Sequence, residues 1–326
     1  MKNLLIFIVF WTQLFAVGIG FSSCSHGAAV SEEKTRSLKV MNWNLQTFFD
    51  AQFDGNEYTD FKSAKSGWNE EKYTLRLERL ATVITALDAD VLVFEELEKE
   101  AQLQDISNKL AGTFRLSKLY PYGTFASGRN SSIGCAILSR FPLTDITVHE
   151  LDVRTSEGTQ PAMRAIIRAT VLVGEKRLVL FVNHWKSKSG GAEASEVWRK
   201  KQEAQLARLM AESLKTEKAL LALGDCNKDI TEFSCAGNSV VLDSFLRVNS
   251  PWLTEDGSAQ KTGSYWYKGA WERIDQFFTA GNARVSNFCA ENNGVWADSA
   301  GYPLRYKLWN GSGYSDHLPL TATVSF

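Results

Sequence analysis

Eight short runs rich in Val, Ile, Leu and Phe recur along the chain, and most of them stop abruptly at Asn, Glu, Asp or His. They lie at 38–45, 90–97, 133–139, 164–173, 177–184, 219–224, 274–280 and 318–326. Runs of this length and composition read as strands. Helical patterns stand between them. Tyr73, Leu77, Leu80, Ile84 and Leu87 repeat at three- and four-residue intervals, forming one apolar helix face entered through the acidic turn Glu70-Glu71. Leu103, Ile106 and Leu110 repeat that spacing on a shorter helix expected to stop at Gly112, and a more polar helix is expected over 195–214. Helices near the start and many strands afterwards give a mixed α/β domain with layered sheets. With no internal repeat and no linker, 37–326 reads as one domain.

The 326 residues carry 36 basic and 37 acidic side chains, a formal charge of −1. With 44% hydrophobic and 22% charged residues, the composition excludes a disordered or fibrous chain. The near-zero charge also excludes a polybasic protein held to nucleic acid by bulk electrostatics. A phosphate-bearing substrate would need local cationic groups or a metal.

Met1-Lys2-Asn3 precedes an apolar run from Leu4 to Val17, broken only by Thr12 and Gln13, and small residues follow it. Residues 1–23 are therefore expected to be a secretory signal. The alternative, a membrane anchor, needs ~20 clean apolar residues. Phe21-Ser22-Ser23-Cys24 resembles a bacterial lipobox, with Phe21 where Leu is usual, so a lipidated Cys24 and a membrane anchor through it are expected; residues 24–36 read as a flexible tether. Export permits disulfides. Cys226 and Cys235 close a short loop and are the first candidates, whereas Cys135, in an apolar run, reads as a small buried hydrophobe. No Cys/His spacing suits structural zinc.

The strand ends carry the chemistry. In order they are Asn42-Trp43-Asn44, Glu95-Glu96, Asn183-His184-Trp185-Lys186, Gly224-Asp225-Cys226-Asn227 and Tyr314-Ser315-Asp316-His317. Two of only four histidines fall in these strings, and the other two, His26 and His149, lie outside any motif and read as solvated. Asn, Glu and Asp supply hard oxygen ligands suited to magnesium, and His can polarise a phosphate oxygen or move a proton. A Gly-rich phosphate loop and a Gly-x-Ser-x-Gly elbow are both missing, so nucleotide kinases and serine hydrolases fit poorly.

Taken together with Asp90–Glu96 and Ile274-Asp275-Gln276, these strings resemble, in order and approximate spacing, the endonuclease/exonuclease/phosphatase superfamily with its deoxyribonuclease-I-like fold. The resemblance spans 38–326. Longer strings at 183–191, 263–271 and 301–306 are similar to a branch of extracellular bacterial nucleases. The resemblance implies a four-layer α/β/β/α sandwich with the site at one edge of the paired sheets. It implies that Glu96 binds a divalent metal, magnesium with manganese or calcium as alternatives, with Asn44 beside it and Asp316 completing the metal or phosphate shell. Asp225 and Asn227 would orient or activate water, His184 would hold a phosphate oxygen, and Asp275 would orient His317.

Some positions depart from the family. Glu95 replaces a usual Gln, and strand alternation should turn it away from Glu96. Cys226 replaces a usual Phe and should also face away. Arg129-Asn130-Ser131 resembles a string of mammalian secreted deoxyribonucleases, which makes Arg129 and Asn130 candidate substrate contacts. Those enzymes place a Glu nearby to orient the catalytic His, and here the matching position is Gly134. Lys186 and Arg164 are further candidates for phosphate contact; Arg164 reads equally as an ion-pair residue. The run Lys186, Lys188, Arg199, Lys200 and Lys201 reads either as a track for a phosphodiester backbone or as a solvated helix face. Trp68, Trp185, Trp266 and Trp271 read mostly as core, with stacking on bases as the alternative.

The expectation is an exported, monomeric, metal-dependent phosphodiesterase, a nuclease acting on DNA or RNA. A sphingomyelinase-like phospholipase or phosphomonoesterase is the alternative within the same chemistry, and a non-catalytic surface binding protein the alternative outside it.

Overall fold

Alternation along the first strand sets the architecture. In β1 (Ser37–Phe48), Leu38 and Val40 point one way into an apolar layer shared with another sheet, while Met41, Trp43 and Leu45 point the other way towards helices. β2 (Val91–Leu97) repeats this, with Val91 and Val93 facing inward and Leu92 and Phe94 outward. The computed structural model describes residues 35–115, 118–152, 160–237 and 239–326, which form one unit. The expected signal, Cys24 and most of the expected tether lie outside the described residues. At the tether's end, Arg36 already exchanges backbone hydrogen bonds with Phe326 (3.0 and 2.9 Å).

Four further strands complete the first sheet: β3 (Tyr122–Ser127), β4 (Gly134–Ser139), β15 (Arg284–Ala290) and β16 (Leu320–Ser325), in the order β15-β16-β1-β2-β4-β3. The second sheet has eight strands: β5 (Leu143–His149), β6 (Ile166–Val173), β7 (Lys176–His184), β8 (Ala219–Asp225), β9 (Ser234–Ala236), β10 (Ser239–Leu242), β11 (Leu246–Asn249) and β14 (Asp275–Gly281). Their order is β5-β6-β7-β8-β14-β11-β10-β9. A separate hairpin joins β12 (Tyr265–Tyr267) to β13 (Ala270–Glu272).

Helices α2 (Glu70–Leu87) and α3 (Ala101–Ala111) follow the short α1 (Thr59–Lys62) and cover the first sheet's outer face. Asn69 caps α2 by accepting from Lys72 N, Glu70 and Glu71 suit its N-terminal dipole, and Asp88 ends it in the left-handed region. All five expected apolar residues of α2 are buried, each worth roughly 1.5–3 kcal/mol. α4 (Ala192–Ser213) packs Leu206, Ala207 and Met210 on the second sheet. The molecule is therefore the expected α/β/β/α sandwich.

The expected disulfide is absent. Cys226 is buried beneath the end of β8 while Cys235 lies exposed on the edge strand β9, and both are free. Cys135 is fully buried in the inter-sheet core, as its apolar surroundings imply.

Candidate active site

The inward-facing stripes change from apolar to polar at one end of the sandwich. Leu38 and Val40 are followed on the same face by Asn42 and Asn44, Val91 and Val93 by Glu95, and Leu180 and Val182 by His184. Across the gap, β8 ends in Asp225, paired in register with His184 of β7 and Asp275 of β14. The parallel β7–β8 pair can close there only because Gly224 has no side chain, since a Cβ would lie 2.0 Å from Asn183 O. Six residues from two sheets thus reach one place.

Glu96 reaches it through a register shift. A bulge between Glu95 and Leu97 lets Leu97 continue the helix-facing row and swings Glu96, at φ +70°, towards the cavity. That backbone position is unfavourable for a branched-off-Cα residue and is held by partners. Glu96 Oε1 accepts from Asn44 Nδ2 (3.1 Å) and Oε2 from Thr47 N (2.5 Å). Thr47 and Gln46 are themselves left-handed, in a second bulge at the end of β1. Gln46 N donates to Asn44 Oδ1 (2.9 Å), so the Asn44 amide turns its nitrogen to Glu96 and to Asp225 Oδ2 (3.0 Å). Asn44 consequently bridges two carboxylates as a donor, with its oxygen engaged elsewhere.

Asp225 also accepts from Asn227 N (2.7 Å) and Asn227 Nδ2 (3.1 Å). Burial, followed by the neighbouring Asp275 charge, pushes its carboxyl up to about 7. His317 Nδ1 lies 2.8 Å from Asp275 Oδ2. Burial, the largest single influence, opposes charging His317, but the carboxylates of Asp275, Asp225 and Asp316 together outweigh it and hold its pKa well above the usual range. His184 is the opposite case. Burial, then the nearby Arg164, His317 and Lys186, push it well below the usual range, so it is neutral. Its Nε2 accepts from Arg164 Nη2 (2.5 Å) and lies 3.6 Å from Asp225 and 3.7 Å from Glu96. Its buried Nδ1 has no hydrogen-bond partner. The orienting Glu of the mammalian enzymes has no room here: a Cβ on Gly134 would sit 2.4 Å from Ala126 O.

Glu96, His184, Asp225, Asn227, Asp316 and His317 line one cavity of about 650 Å³. Asp316 stands at its wall, 3.6 Å from Arg305. Other expected site residues lie elsewhere. Arg164 and Lys186 sit behind His184, off the cavity wall, with Arg164 also donating to Trp185 O (3.1 Å). Arg129 and Asn130 do not line the cavity; they occupy the β3–β4 turn, where Asn130 is left-handed and exposed Arg129 faces Glu150 at 3.4 Å. The expected basic track is dispersed. Arg199 is buried and donates to Ser195, Glu196 and backbone carbonyls, and Lys188 pairs with Glu232 at 2.7 Å. Trp68 and Trp185 are core residues, Trp185 fully buried.

Arg76 escaped the sequence reading, and Glu95 was placed by it without its surroundings. Arg76, buried in α2, donates to the carbonyls of Leu45, Gln46 and Thr47 (2.7–2.9 Å) and lies over the rings of Tyr306 and Phe48. It supplies the hydrogen bonds that the bulged β1 end cannot obtain from a neighbouring strand. Its place on the helix is that of a core residue, three after Tyr73 and one before Leu77, and a charge there was the available signal. Glu95 does face away from Glu96, but into the sealed inter-sheet layer beside the site, where Asn42 Nδ2 is its one hydrogen-bond partner (3.4 Å).

A divalent cation fits this donor set. Buried Asp275 Oδ1 has no partner, and carboxylate oxygens of Asp225 and Asp275 lie within 4.8 Å of each other, beside the charged His317, which cannot itself be a ligand. Hard carboxylate oxygens crowded in a buried site suit such an ion.

The architecture and the site together define a deoxyribonuclease-I-like α/β sandwich. Residues 39–325 match the sequence profile of the Endonuclease/Exonuclease/phosphatase family, and the chain belongs to that family. Its members are hydrolases of phosphoester bonds that typically use a divalent metal. Comparison with curated proteins finds no match. Among solved structures, TDP2 from Caenorhabditis elegans is similar at a TM-score of 0.58 and 19% identity, covering 88% of this chain and 75% of that one. D. rerio TDP2 complexed with a single-strand DNA product gives 0.55 and 16%, covering 88% and 98%. The mannosyl-6-phosphatase of Bacteroides thetaiotaomicron gives 0.54 and 17%, covering 89% and 100%.

Proposed function

We propose that this chain is an exported, divalent-metal-dependent phosphodiesterase that hydrolyses nucleic acid by in-line attack of water at phosphorus. The observation that carries the reading is geometric: two histidines share one cavity with the carboxylates of Glu96, Asp225 and Asp316, His317 held by Asp275 (2.8 Å) and His184 by Arg164 (2.5 Å). His317, charged and braced by Asp275, presents its other ring nitrogen as a proton donor to a phosphate or leaving oxygen. Asp225, whose carboxyl is pushed up to about 7, is fixed by three amide donors and accepts the proton of the attacking water. Neutral His184 has its Nε2 occupied by Arg164, whose guanidinium, set behind the ring, adds positive charge to that side of the cavity without lining it. Glu96, the carboxylate used neither for proton transfer nor for bracing His317, would hold the cation, which would supply further stabilisation of the charge that builds on the phosphate oxygens. Phosphodiester rather than monoester substrates are favoured by the cavity's extent, since its lining continues beyond the histidines and carboxylates to Lys188, Tyr265 and Tyr267. The DNA-product complex of a structural neighbour agrees with a nucleic acid substrate.

Export rests on residues 1–23 and the anchor on Cys24; mass spectrometry of the protein isolated from membranes would show a lipid on Cys24, and an unmodified N-terminus at Met1 would refute both. The decisive test of activity is cleavage of supercoiled plasmid and of a single-stranded oligonucleotide with and without magnesium, beside His317→Ala. Cleavage of at least one of them that requires both metal and His317 is expected. Cleavage by His317→Ala at the normal rate would refute the site, and hydrolysis of sugar phosphates with no effect on either nucleic acid would move the substrate to monoesters.

A further inference from the structure

The hairpin β12–β13 has two unlike faces. Its loop is two residues long, Lys268 and Gly269, both with positive φ (48° and 85°), which is the tight turn that matches strand twist and leaves little freedom. Trp266 points to one face, where it packs on Trp271 (5.2 Å between ring centroids) and Tyr302 (4.3 Å). Tyr265 and Tyr267, two residues apart, share the other face with rings only 19° from parallel, and both line the catalytic cavity. The hairpin is tied to the site itself. Tyr265 forms a backbone bridge with His317, Leu318 N donates to Ser264 O (2.7 Å), and the Tyr265 and His317 rings lie 4.7 Å apart. Beyond Tyr267, which is 46% exposed, the Lys268 ammonium stands 5.2 Å from that tyrosine's ring centroid.

From the reacting centre outward the order is therefore phosphate-binding histidine, ring, ring, cation. That sequence of groups complements a chain in which flat aromatic rings alternate with phosphates. We infer that Tyr265 and Tyr267 form a stacking subsite for unpaired nucleobases beside the scissile phosphate, with Lys268 meeting a phosphate further along the strand. The subsite deepens the nucleic-acid reading above and depends on it only for substrate class. It selects single strands, because the bases of a duplex are stacked on one another and have no face free for a tyrosine. In the free chain the Lys268 ammonium lies over the Tyr267 ring, so a base that takes that face displaces it towards the next phosphate, which a sugar monophosphate does not carry.

The test is binding in excess chelator, so that no hydrolysis is needed for the readout. A single-stranded oligonucleotide carrying 2-aminopurine should be quenched and bound by the full chain. Tyr267→Ala should relieve the quenching and weaken binding about tenfold, while Tyr267→Phe keeps both. A strand of equal length made abasic should bind wild type and Tyr267→Ala equally weakly. Equal affinity of wild type and Tyr267→Ala for the base-bearing strand would overturn the subsite. So would an equal loss on the abasic strand, or a Tyr267-dependent binding of phospholipid vesicles or mannose 6-phosphate without one of oligonucleotides. Quenching that depends on Tyr267 in a protein that nicks no nucleic acid under magnesium would sustain the subsite and refute the nuclease. Nicking without base-dependent binding would do the reverse.

Discussion

A carboxyl sealed between two sheets, as Glu95 is, changes protonation at a cost to the fold. Burial first, then the charges of Asp275 and Asp225, raise its pKa well above the ordinary 4.5. The folded chain thus keeps a proton that the unfolded chain releases above that value, and this part of stability is lost as pH rises. Glu95→Gln keeps a partner for Asn42 and removes the titration. It should stabilise the protein at pH 8 by about 1–3 kcal/mol and leave stability at pH 4 nearly unchanged, as urea unfolding at the two pH values will show. Asp225 titrates in the open cavity, with functional consequence. Its carboxyl, pushed up to about 7, must be ionised to accept a proton, so activity should fall on the acid side of neutrality. Added magnesium favours the ionised form and should move that limb to lower pH, which rate–pH profiles at two magnesium concentrations will measure. His184→Ala, Asp225→Ala and His317→Ala should each lower turnover at least ~100-fold without unfolding the protein.

At the scale of elements, the end of β1 is the part on which the site's geometry turns. Gln46 and Thr47 adopt left-handed backbone, and their N–H groups fix Asn44 and Glu96 while their carbonyls are held by Arg76. Arg76→Lys keeps a charge but cannot reach three carbonyls in one plane. It should raise the magnesium concentration needed for half-maximal activity about tenfold with far-UV circular dichroism unchanged, and titration of the variant with manganese followed calorimetrically should show the same loss. In the sequence only Asn44, Glu96 and the charge of Arg76 at a core position of α2 were visible; the bulge that joins them was not. The alternation of Leu38, Val40, Asn42 and Asn44 is local and could be read directly, and so could the helix face of α2. A bulge has no such signature, because it arises from the partner strand's register. Eight of the sixteen described strands were missed, β3, β5, β9 to β13 and β15: most of them are only three or four residues long, and β5 and β15 lie at sheet edges with mostly exposed side chains and carry no apolar run. Arg129 and Asn130 were placed by resemblance of a string, whereas the turn that holds them points Arg129 to Glu150.

Over the whole molecule, the six strings were legible because each is a change between apolar and polar residues at a strand boundary, four at a strand's C-terminal end and two, at Asp275 and 314–317, at or ahead of a strand's start. How deeply each side chain would be buried was not, since burial is set by the opposite sheet. The cysteines show the same limit: spacing suggested a Cys226–Cys235 bridge, but packing separates a core thiol from an edge one. In a soluble form beginning after Cys24, two thiols, Cys235 and Cys289, should react rapidly with a disulfide reagent and two more, Cys135 and Cys226, only after denaturation; reductant should leave the melting temperature unchanged. Asn44 and Glu96 come from one sheet and His184, Asp225 and Asp275 from the other, and at the site side-chain packing and hydrogen bonds such as Asn44 to Asp225 keep the two slabs aligned. Turnover is therefore a gauge of how well the slabs are seated on each other. A small slip between them would silence the enzyme while every strand remained intact, so on gentle heating catalysis should fade before any spectroscopic sign of melting.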